Sequence, residues 1–210
     1  MNDDTTLASS SEVTTPNRGR AGQVTRDQLL EAAAKLFRTQ GYNATSTREL
    51  SEALGLQKAS LYHHIRGKED LLFSICTVSL AHIQSAVEKA MAATPLESRL
   101  QAMIDAHLEA ALTDRDMHAT MLAEFGKLSA DRQSEVRQER DRHAAMFRET
   151  ITEAQDKGLI RKEIPARYLT LALLNLLNWT IFWFDPTRER SVQEIANFLG
   201  AIYLDGARPR

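Results

Sequence analysis

Apolar residues recur at helical spacing along nearly the whole chain. From Thr25 onward, leucine, isoleucine, phenylalanine and alanine return every three or four positions, and glycine or proline stands between the segments. No stretch alternates apolar and polar positions for long enough to form a strand of a sheet. The pattern therefore predicts an all-α protein with about nine helices.

The first predicted helix supplies the core of a small N-terminal unit. Thr25 and Gln28 have the spacing of a capping box, in which each side chain bonds the backbone N–H of the other residue. Gly41 ends the helix, as glycine commonly does. Its inward positions are Leu29, Leu30, Ala33, Leu36 and Phe37.

Two short helices joined by a tight turn follow. Ser46 with Glu49 fits a second capping box and opens a helix that ends near Ala53. Gly55 supplies the positive φ that a sharp turn requires, and the next helix covers about residues 58–65. The inward apolar residues of the pair are Leu50, Ala53, Leu54, Leu56, Leu61 and Ile65. With the first helix, the pair makes a three-helix unit that contains a helix-turn-helix.

The outward face of the second short helix carries hydrogen-bond donors and aromatic edges but no carboxylate. It comprises Gln57, Lys58, Ala59, Ser60, Tyr62, His63 and His64. A helix of about eight residues with such a face fits the ~12 Å wide major groove of DNA. The charge distribution agrees, because residues 13–68 hold nine Lys/Arg against four Asp/Glu, whereas residues 69–210 hold seventeen against twenty-one.

A long helix after Gly67 connects this unit to the rest of the chain. Glu69 and Asp70 stand in its first turn, where they favour the helix dipole, and it runs to about Ala93. Its apolar residues lie on more than one face, which indicates that it bridges two cores. Further helices are predicted at about residues 96–113, 118–127, 131–157, 165–184 and from 191 onward.

The helix at residues 165–184 is apolar almost all round. A helix that is apolar on every side must be buried on every side, and a chain of 210 residues covers one side only. We therefore expect a homodimer in which the last two helices of two chains form a four-helix interface. The alternative is that this helix lies at the centre of a monomer.

Three parts follow from these patterns. Residues 1–24 are rich in Ser, Thr, Asn and Asp without an apolar period, which predicts a disordered arm. Arg18 and Arg20 near its end either reach a DNA phosphate or the minor groove, or belong to a solvated tail. Residues 25–85 form the helix-turn-helix unit, and residues 86–210 form a larger helical unit for ligand binding and dimerisation.

Several kinds of chemistry are absent from the sequence. Cys76 is the single cysteine, which excludes an intramolecular disulfide and a cysteine-rich zinc site and suits a reducing cytoplasm. The N-terminus lacks a signal-peptide pattern, and no apolar run reaches the ~18 residues of a membrane span. His63 and His64 point about 100° apart on a helix, the other histidines are scattered, and hydrolase or phosphate-loop motifs are missing. We expect a cytoplasmic protein with no catalytic residue, no metal and no cofactor.

The segment from Thr25 to about Ile75 resembles the DNA-binding domain of the tetracycline-repressor (TetR) family. The resemblance is carried by LLEAAAKLFRTQGYNATSTRELSEALGL and by the following ASLYHHIRGKEDLL. It implies that Lys58 donates to a guanine and Ala59 touches a thymine methyl group, whereas His63 is either a base reader or a backbone contact. It also implies that Ser60, Tyr62, His64 and Lys68 hold phosphates. The DNA-contacting residues implied are Thr47, Arg48, Gln57, Lys58, Ala59, Ser60, Tyr62, His63, His64 and Lys68.

The resemblance also implies a ligand pocket inside the larger unit. The candidate lining residues are Met103, His107, Met121, Phe125, Phe147, Asn175, Asn178, Trp179 and Phe182. The amides of Asn175 and Asn178 either orient a ligand among apolar side chains or bond across the dimer or to a backbone carbonyl. The ending WTIFWFDPTRERSVQEIANFLGAIYLDG resembles TetR-type regulators of lipid and steroid breakdown, several of which respond to acyl-CoA thioesters. A large apolar effector is expected, with a drug or other aromatic compound as the main competitor.

These features favour a homodimeric, ligand-responsive transcriptional repressor that binds a near-palindromic operator in double-stranded DNA. Two alternatives stay open. One is a DNA-binding or architectural protein of the same fold without an effector, and an absent cavity in the larger unit would favour it. The other is an all-helical enzyme with an incidental helix-turn-helix, which needs acid, base and cofactor groups around a cleft.

Overall fold

The computed structural model describes residues 24–57, 59, 61–62, 65–188 and 190–209. In this part of the chain all regular secondary structure is helical, which confirms the all-α prediction. The helices are α1 (Arg26–Gln40), α2 (Thr47–Ala53), α3 (Lys68–Ala93), α4 (Leu96–Thr113), α5 (Arg115–Glu124, followed by a 3-10 turn at Phe125–Lys127), α6 (Ala130–Asp156), α7 (Ala166–Trp183) and α8 (Val192–Ala207).

Capping boxes open three of these helices. At α1 the Thr25 hydroxyl accepts the Gln28 N–H at 3.2 Å, and the Gln28 side chain accepts the Thr25 N–H at 3.0 Å. Ser46 opens α2 and Ser191 opens α8 in the same reciprocal way. Each cap satisfies backbone donors that a helix start otherwise leaves unpaired, and each is worth about 1 kcal/mol. The predicted caps are confirmed.

Two glycines with positive φ shape the N-terminal unit. Gly41 ends α1 with φ 87°, and Gly55 follows α2 with φ 63°, as predicted. Beyond Gly55 lies the 57–65 segment, in which the Leu61 N–H donates to the Gln57 carbonyl at 3.2 Å. The described residues of this segment that are helical are Ala59, Leu61 and Tyr62.

The N-terminal core joins α1, α2, the 57–65 segment and the first half of α3, with buried residues from α5 and the start of α6 packed against them. Leu50 and Leu61 are fully buried in it, as predicted. Ala53 is exposed, so its predicted inward position is wrong. Ser51 takes the buried position instead, because its hydroxyl is satisfied by donating to the Arg48 carbonyl at 2.7 Å.

A larger core lies between the second half of α3 and helices α4, α6, α7 and α8. Helix α3 serves both cores. Leu72 and Ile75 belong to the N-terminal core, whereas Ile83 and Val87 belong to the larger one. The predicted bridging role of this helix is confirmed.

The same helix α3 is long and apolar enough to cross a membrane, by length and composition alone. The expectation of no membrane span considers uninterrupted apolar runs, whereas α3 is apolar on average although polar residues such as Ser74, Thr77 and His82 interrupt it. One helix of this kind is weak evidence for a membrane span, because core helices of globular proteins pass the same test. In α3, 44% of the most apolar window is buried inside the protein, as expected of a helix that serves two cores.

Helix α5 begins at Arg115, earlier than the predicted start at His118. The reason lies in Asp114, the single residue between α4 and α5. Its N–H donates to the Ala110 carbonyl at the end of α4, at 3.3 Å, and its carbonyl accepts the His118 N–H at 3.0 Å. One residue therefore ends one helix and starts the next.

Helix α7 is buried on one side and exposed on the other. Among the described residues, ten large apolar side chains are exposed, and seven of them lie on α7 and α8. We call these seven the α7–α8 face: Tyr168, Leu171, Trp179, Phe182, Trp183, Phe198 and Ile202. Exposed apolar surface concentrated in this way marks an interaction site. A single chain thus leaves one side of α7 uncovered.

Candidate nucleic-acid interface and internal cavity

Helix α2 and the 57–65 segment present side chains on a common exposed surface. The hydroxyl oxygens of Thr47 and Tyr62 lie 3.5 Å apart, and Tyr62 is 48% exposed. Arg48 is also exposed, and its Nε donates to Glu52 at 2.7 Å. Gln57 and Ala59 complete the described part of this surface. Lys58, Ser60, His63 and His64, together with Arg18 and Arg20, lie outside the described residues.

Lys68, the remaining predicted DNA contact, is held by the loop between α1 and α2. Its Nζ donates to the Tyr42 carbonyl at 2.6 Å and to the Thr45 carbonyl at 2.9 Å. The same Nζ lies 4.3 Å from the centre of the Tyr42 ring. Because an ammonium group has three donors, these contacts occupy most of its capacity. Lys68 thus ties the start of α3 to the loop, and its phosphate contact stays a prediction.

Replacing Lys68 with methionine is therefore expected to destabilise the protein by about 1–3 kcal/mol, because two loop carbonyls lose a charged donor. Urea unfolding measures this loss. Lys35→Met, on the exposed side of α1, serves as the matched control and should change stability by less than about 0.5 kcal/mol. Equal stability of the two variants would show that Lys68 has no structural role.

A cavity of about 410 Å³ lies within the larger unit. Helices α3 to α7 and the turn after α5 form its walls. Its volume falls within the range of roughly 300–1,000 Å³ that is usual for small-molecule pockets. The lining residues are Leu80, Ile83, His107, His118, Met121, Leu122, Phe125, Arg137, Arg140, Asp141, His143, Ala144, Leu171, Leu174, Asn175 and Asn178.

Five of the nine predicted pocket residues line this cavity: His107, Met121, Phe125, Asn175 and Asn178. The other four do not. Met103 and Phe147 are fully buried in the larger core, because they point between helices and not toward the cavity wall. Trp179 and Phe182 belong to the exposed α7–α8 face, where their ring centres lie 5.1 Å apart. Ligand binding by the five lining residues stays a prediction.

Three histidines from three helices meet at the inner end of the cavity. His107 Nδ1 lies 3.0 Å from His143 Nε2, and the His107 ring centre is 6.0 Å from that of His118. His118 contacts both the Ser79 hydroxyl and the Asn178 Oδ1, each at 3.3 Å. These histidines are scattered in the sequence, and their spacing along the chain did not indicate that they meet in the fold. The described residues nevertheless contain no group of three His, Cys, Asp or Glu that fits a metal site.

Burial keeps the three imidazoles neutral. It lowers the pKa of His118 to about 4 and that of His143 to about 4, and it lowers the pKa of His107 well below its usual value. A neutral imidazole has one donor and one acceptor nitrogen. Within the described residues, His107 Nε2 and His143 Nδ1 have no hydrogen-bond partner. The inner end of the cavity is thus polar, uncharged and incompletely hydrogen-bonded.

Comparison with known families covers both units of the chain. Residues 29–75 match the family described as bacterial regulatory proteins, tetR family. Residues 93–207 match the tetracyclin repressor-like C-terminal domain. The chain belongs to the TetR family. This family consists of transcriptional regulators and not of enzymes, so the enzyme alternative is excluded.

The similarity to individual members of the TetR family covers most of the chain. The transcriptional repressor KstR2 of Mycobacterium tuberculosis is 27% identical over 194 residues, which cover 89% of this chain and 95% of KstR2. The crystal structure of the regulator PfmR from Thermus thermophilus is similar with a TM-score of 0.80 and 33% identity, over 88% of this chain and 100% of PfmR. The structure of AibR in complex with isovaleryl coenzyme A and operator DNA has a TM-score of 0.76 and 25% identity, over 85% of this chain and 97% of AibR.

In this TetR-family chain, helix α5 lies between the cavity and the N-terminal core. His118 and Met121 line the cavity, while Met117 and Met121 also belong to the N-terminal core. The buried Thr120 hydroxyl donates to the Ala34 carbonyl of α1 at 2.9 Å. One short helix therefore contacts both the cavity and the helix that supports the 57–65 segment.

The sequence did not indicate several polar residues that line the cavity. These are His118, His143, Arg137, Arg140 and Asp141. Four of them lie on α6 within the charged run RQSEVRQERDRH, which is typical of a solvated helix face. Opposite charges three or four residues apart could have identified the residues of this run that face solvent. No rule of spacing shows which arginine turns toward a cavity.

Proposed function

We propose that the chain is a homodimeric repressor that binds operator DNA and is released when a small molecule occupies the cavity. The position of α5 carries this proposal. A ligand that moves His118 or Met121 also moves the helix whose Thr120 is bonded to α1. Because interfaces of this kind have discrete packing arrangements, a ligand that prefers one arrangement changes the separation of the two DNA-binding units.

Homodimer formation is supported by the α7–α8 face. Phe198 is 63% exposed and Ile202 is 54% exposed on α8, next to the aromatic residues of α7. Two copies of α7 and α8 related by a two-fold axis would cover both exposed faces in a four-helix arrangement. The cytoplasmic location expected from the sequence agrees with a regulator that needs access to DNA.

Operator binding is supported by the exposed surface of α2 and the 57–65 segment. In a symmetric dimer, two such segments enter successive major grooves, so that the half-sites lie about 34–36 Å apart and the operator is nearly palindromic. The exposed hydroxyls of Thr47 and Tyr62 and the guanidinium of Arg48 suit phosphates, which fix the position of the protein. Gln57, Lys58 and Ala59 at the start of the 57–65 segment are the contacts that read bases.

An acyl-CoA thioester is the effector class that we favour. AibR, which has the same fold and 25% identity to this chain, was solved with isovaleryl coenzyme A and operator DNA. The cavity has apolar walls from Leu80, Ile83 and Leu174 that suit an acyl chain. A drug or aromatic effector is the second candidate. An absent cavity would favour the effector-independent alternative, so the cavity of about 410 Å³ counts against it.

An operator-release assay tests the proposal. An operator selected from a random DNA pool is bound by the protein, and fluorescence anisotropy follows its release by isovaleryl-CoA, dodecanoyl-CoA, a steroid or an aromatic drug. One probe class is expected to release the operator. The variant Ala144→Phe, which fills part of the cavity, should bind the operator normally and resist release. If no probe releases the operator from either the unaltered protein or the variant, the effector-independent alternative is favoured.

A further inference from the structure

We propose that Arg137 and Arg140 form an anion-binding subsite at the rim of the cavity. The effector is then an amphiphile with a negatively charged group, either the phosphates of an acyl-CoA or the carboxylate of a fatty acid. Neutral steroids, alcohols and uncharged drugs lack the group that this subsite binds. The inference rests on the proposed function, because it names the chemistry of the ligand in the same cavity.

The first observation is the lack of a counter-ion. Among the described carboxylates, none lies within 4 Å of the guanidinium of Arg137 or Arg140, whereas two of the other three arginines of α6 are paired. Arg132 forms ion pairs with Asp70 and Glu69 in α3, and Arg142 pairs with its helix neighbour Glu139. Arg137 donates to the neutral side chain of Gln133 at 2.6 Å, and both cavity-lining arginines keep guanidinium N–H groups that no described carboxylate occupies.

The second observation is the environment of Arg140. It is half-buried, and its guanidinium lies 4.7 Å from the centre of the Phe125 ring. Burial lowers the pKa of Arg140, with Asp141 opposing the effect. A guanidinium that packs near an aromatic ring and is partly dehydrated without a carboxylate partner is an unfavourable arrangement for the unliganded protein. Its planar fork suits a carboxylate or phosphate bound through two hydrogen bonds.

The surrounding groups leave the rim positive. Asp141, next in sequence to Arg140, is the one carboxylate among the lining residues, against two arginines. The buried Cys76 thiol has its pKa raised to about 12 and stays neutral, and so do the histidines. The charge of the lining is therefore +1, concentrated on α6 at the rim, while the inner end is uncharged. An anionic head at the rim with an uncharged tail inside matches this division.

Three probes with the same twelve-carbon chain but different charge test the subsite. Dodecanoate and dodecanoyl-CoA carry an anion, and dodecanol does not. We expect Arg140→Gln to raise the Kd of the anionic probe about 10- to 100-fold, because a charge-assisted hydrogen-bond pair is lost. The Kd of dodecanol should change less than about threefold. Arg148→Gln, on an exposed position of α6 away from the cavity, is the control and should leave every Kd unchanged.

The outcomes separate the subsite from the proposed function. A loss confined to dodecanoyl-CoA assigns the subsite to phosphate, and a loss confined to dodecanoate assigns it to a carboxylate. An equal loss for dodecanol and the anionic probes overturns the subsite, because the substitution then damages the cavity in general. Failure of both anionic probes to bind the unaltered protein also overturns it. In that case operator release by a neutral probe would leave the proposed function standing, whereas no release by any probe would remove both. Arg140→Lys, which keeps the charge but not the fork, should show an intermediate loss.

Discussion

Glutamate at both Phe198 and Ile202 is expected to convert the protein to monomers that bind operator DNA about 10²- to 10⁴-fold more weakly. Both side chains are more than half exposed in the single chain. In the proposed dimer they are buried against the partner, where two carboxylates per chain would have to lose their hydration. A monomer contacts one half-site and loses the advantage of binding two linked sites at once.

Size-exclusion chromatography with light scattering measures the assembly state, and operator titration at fixed salt measures the affinity. The matched control is Val78→Glu, which places a carboxylate on an exposed apolar position of α3, away from the α7–α8 face. This control should stay dimeric with unchanged affinity. Circular dichroism of the double variant should show native helix content, because neither substituted position is in a core. A double variant that stays dimeric would place the interface elsewhere.

The fold could be predicted closely because local signals fix the ends of the helices. Pro95 and the periodic residues after it define α4, whose bounds agree with the prediction. The capping boxes at Thr25 and Ser46 act within four residues of chain, so they depend little on tertiary packing. The predicted start of α5 is wrong because Asp114 joins α4 to α5 without a glycine or proline to mark the boundary.

The cavity was less predictable because its residues come from several helices. His107, His118 and His143 are separated by 36 residues of chain, and only the packing of α4, α5 and α6 brings them together. Periodicity shows that Trp179 and Phe182 share a side of α7, but it does not show which side meets a neighbouring helix. The interior of a single chain and the interface of a dimer give the same apolar pattern.

The folded protein is expected to lose about 4 kcal/mol or more of stability between pH 7.5 and pH 5. His118 and His143 have folded pKa values of about 4, against about 6.5 in the unfolded chain. Between these two pKa values the unfolded chain binds protons that the folded protein does not. The free energy of unfolding is therefore highest well above pH 6.5 and decreases as the pH falls toward 4. Each of the two residues contributes about 2 kcal/mol at pH 5, and His107 acts in the same direction.

Urea unfolding at a fixed protein concentration, at pH 7.5, 6 and 5, measures the dependence. The double variant His118→Gln, His143→Gln should be less sensitive to acid by about the same 4 kcal/mol, whatever its stability at pH 7.5, because its side chains do not titrate. His82→Gln is the control outside the cluster and should keep most of the dependence, because the exposed His82 bonds Asp114 at 2.6 Å away from the three buried histidines. The pH range stops at 5 because below it carboxylates with lowered pKa values, such as Asp70 beside Arg132, begin to contribute. If the double variant loses as much stability in acid as the unaltered protein, then burial does not hold the three imidazoles neutral. The conclusion that the inner end of the cavity is uncharged would then be wrong.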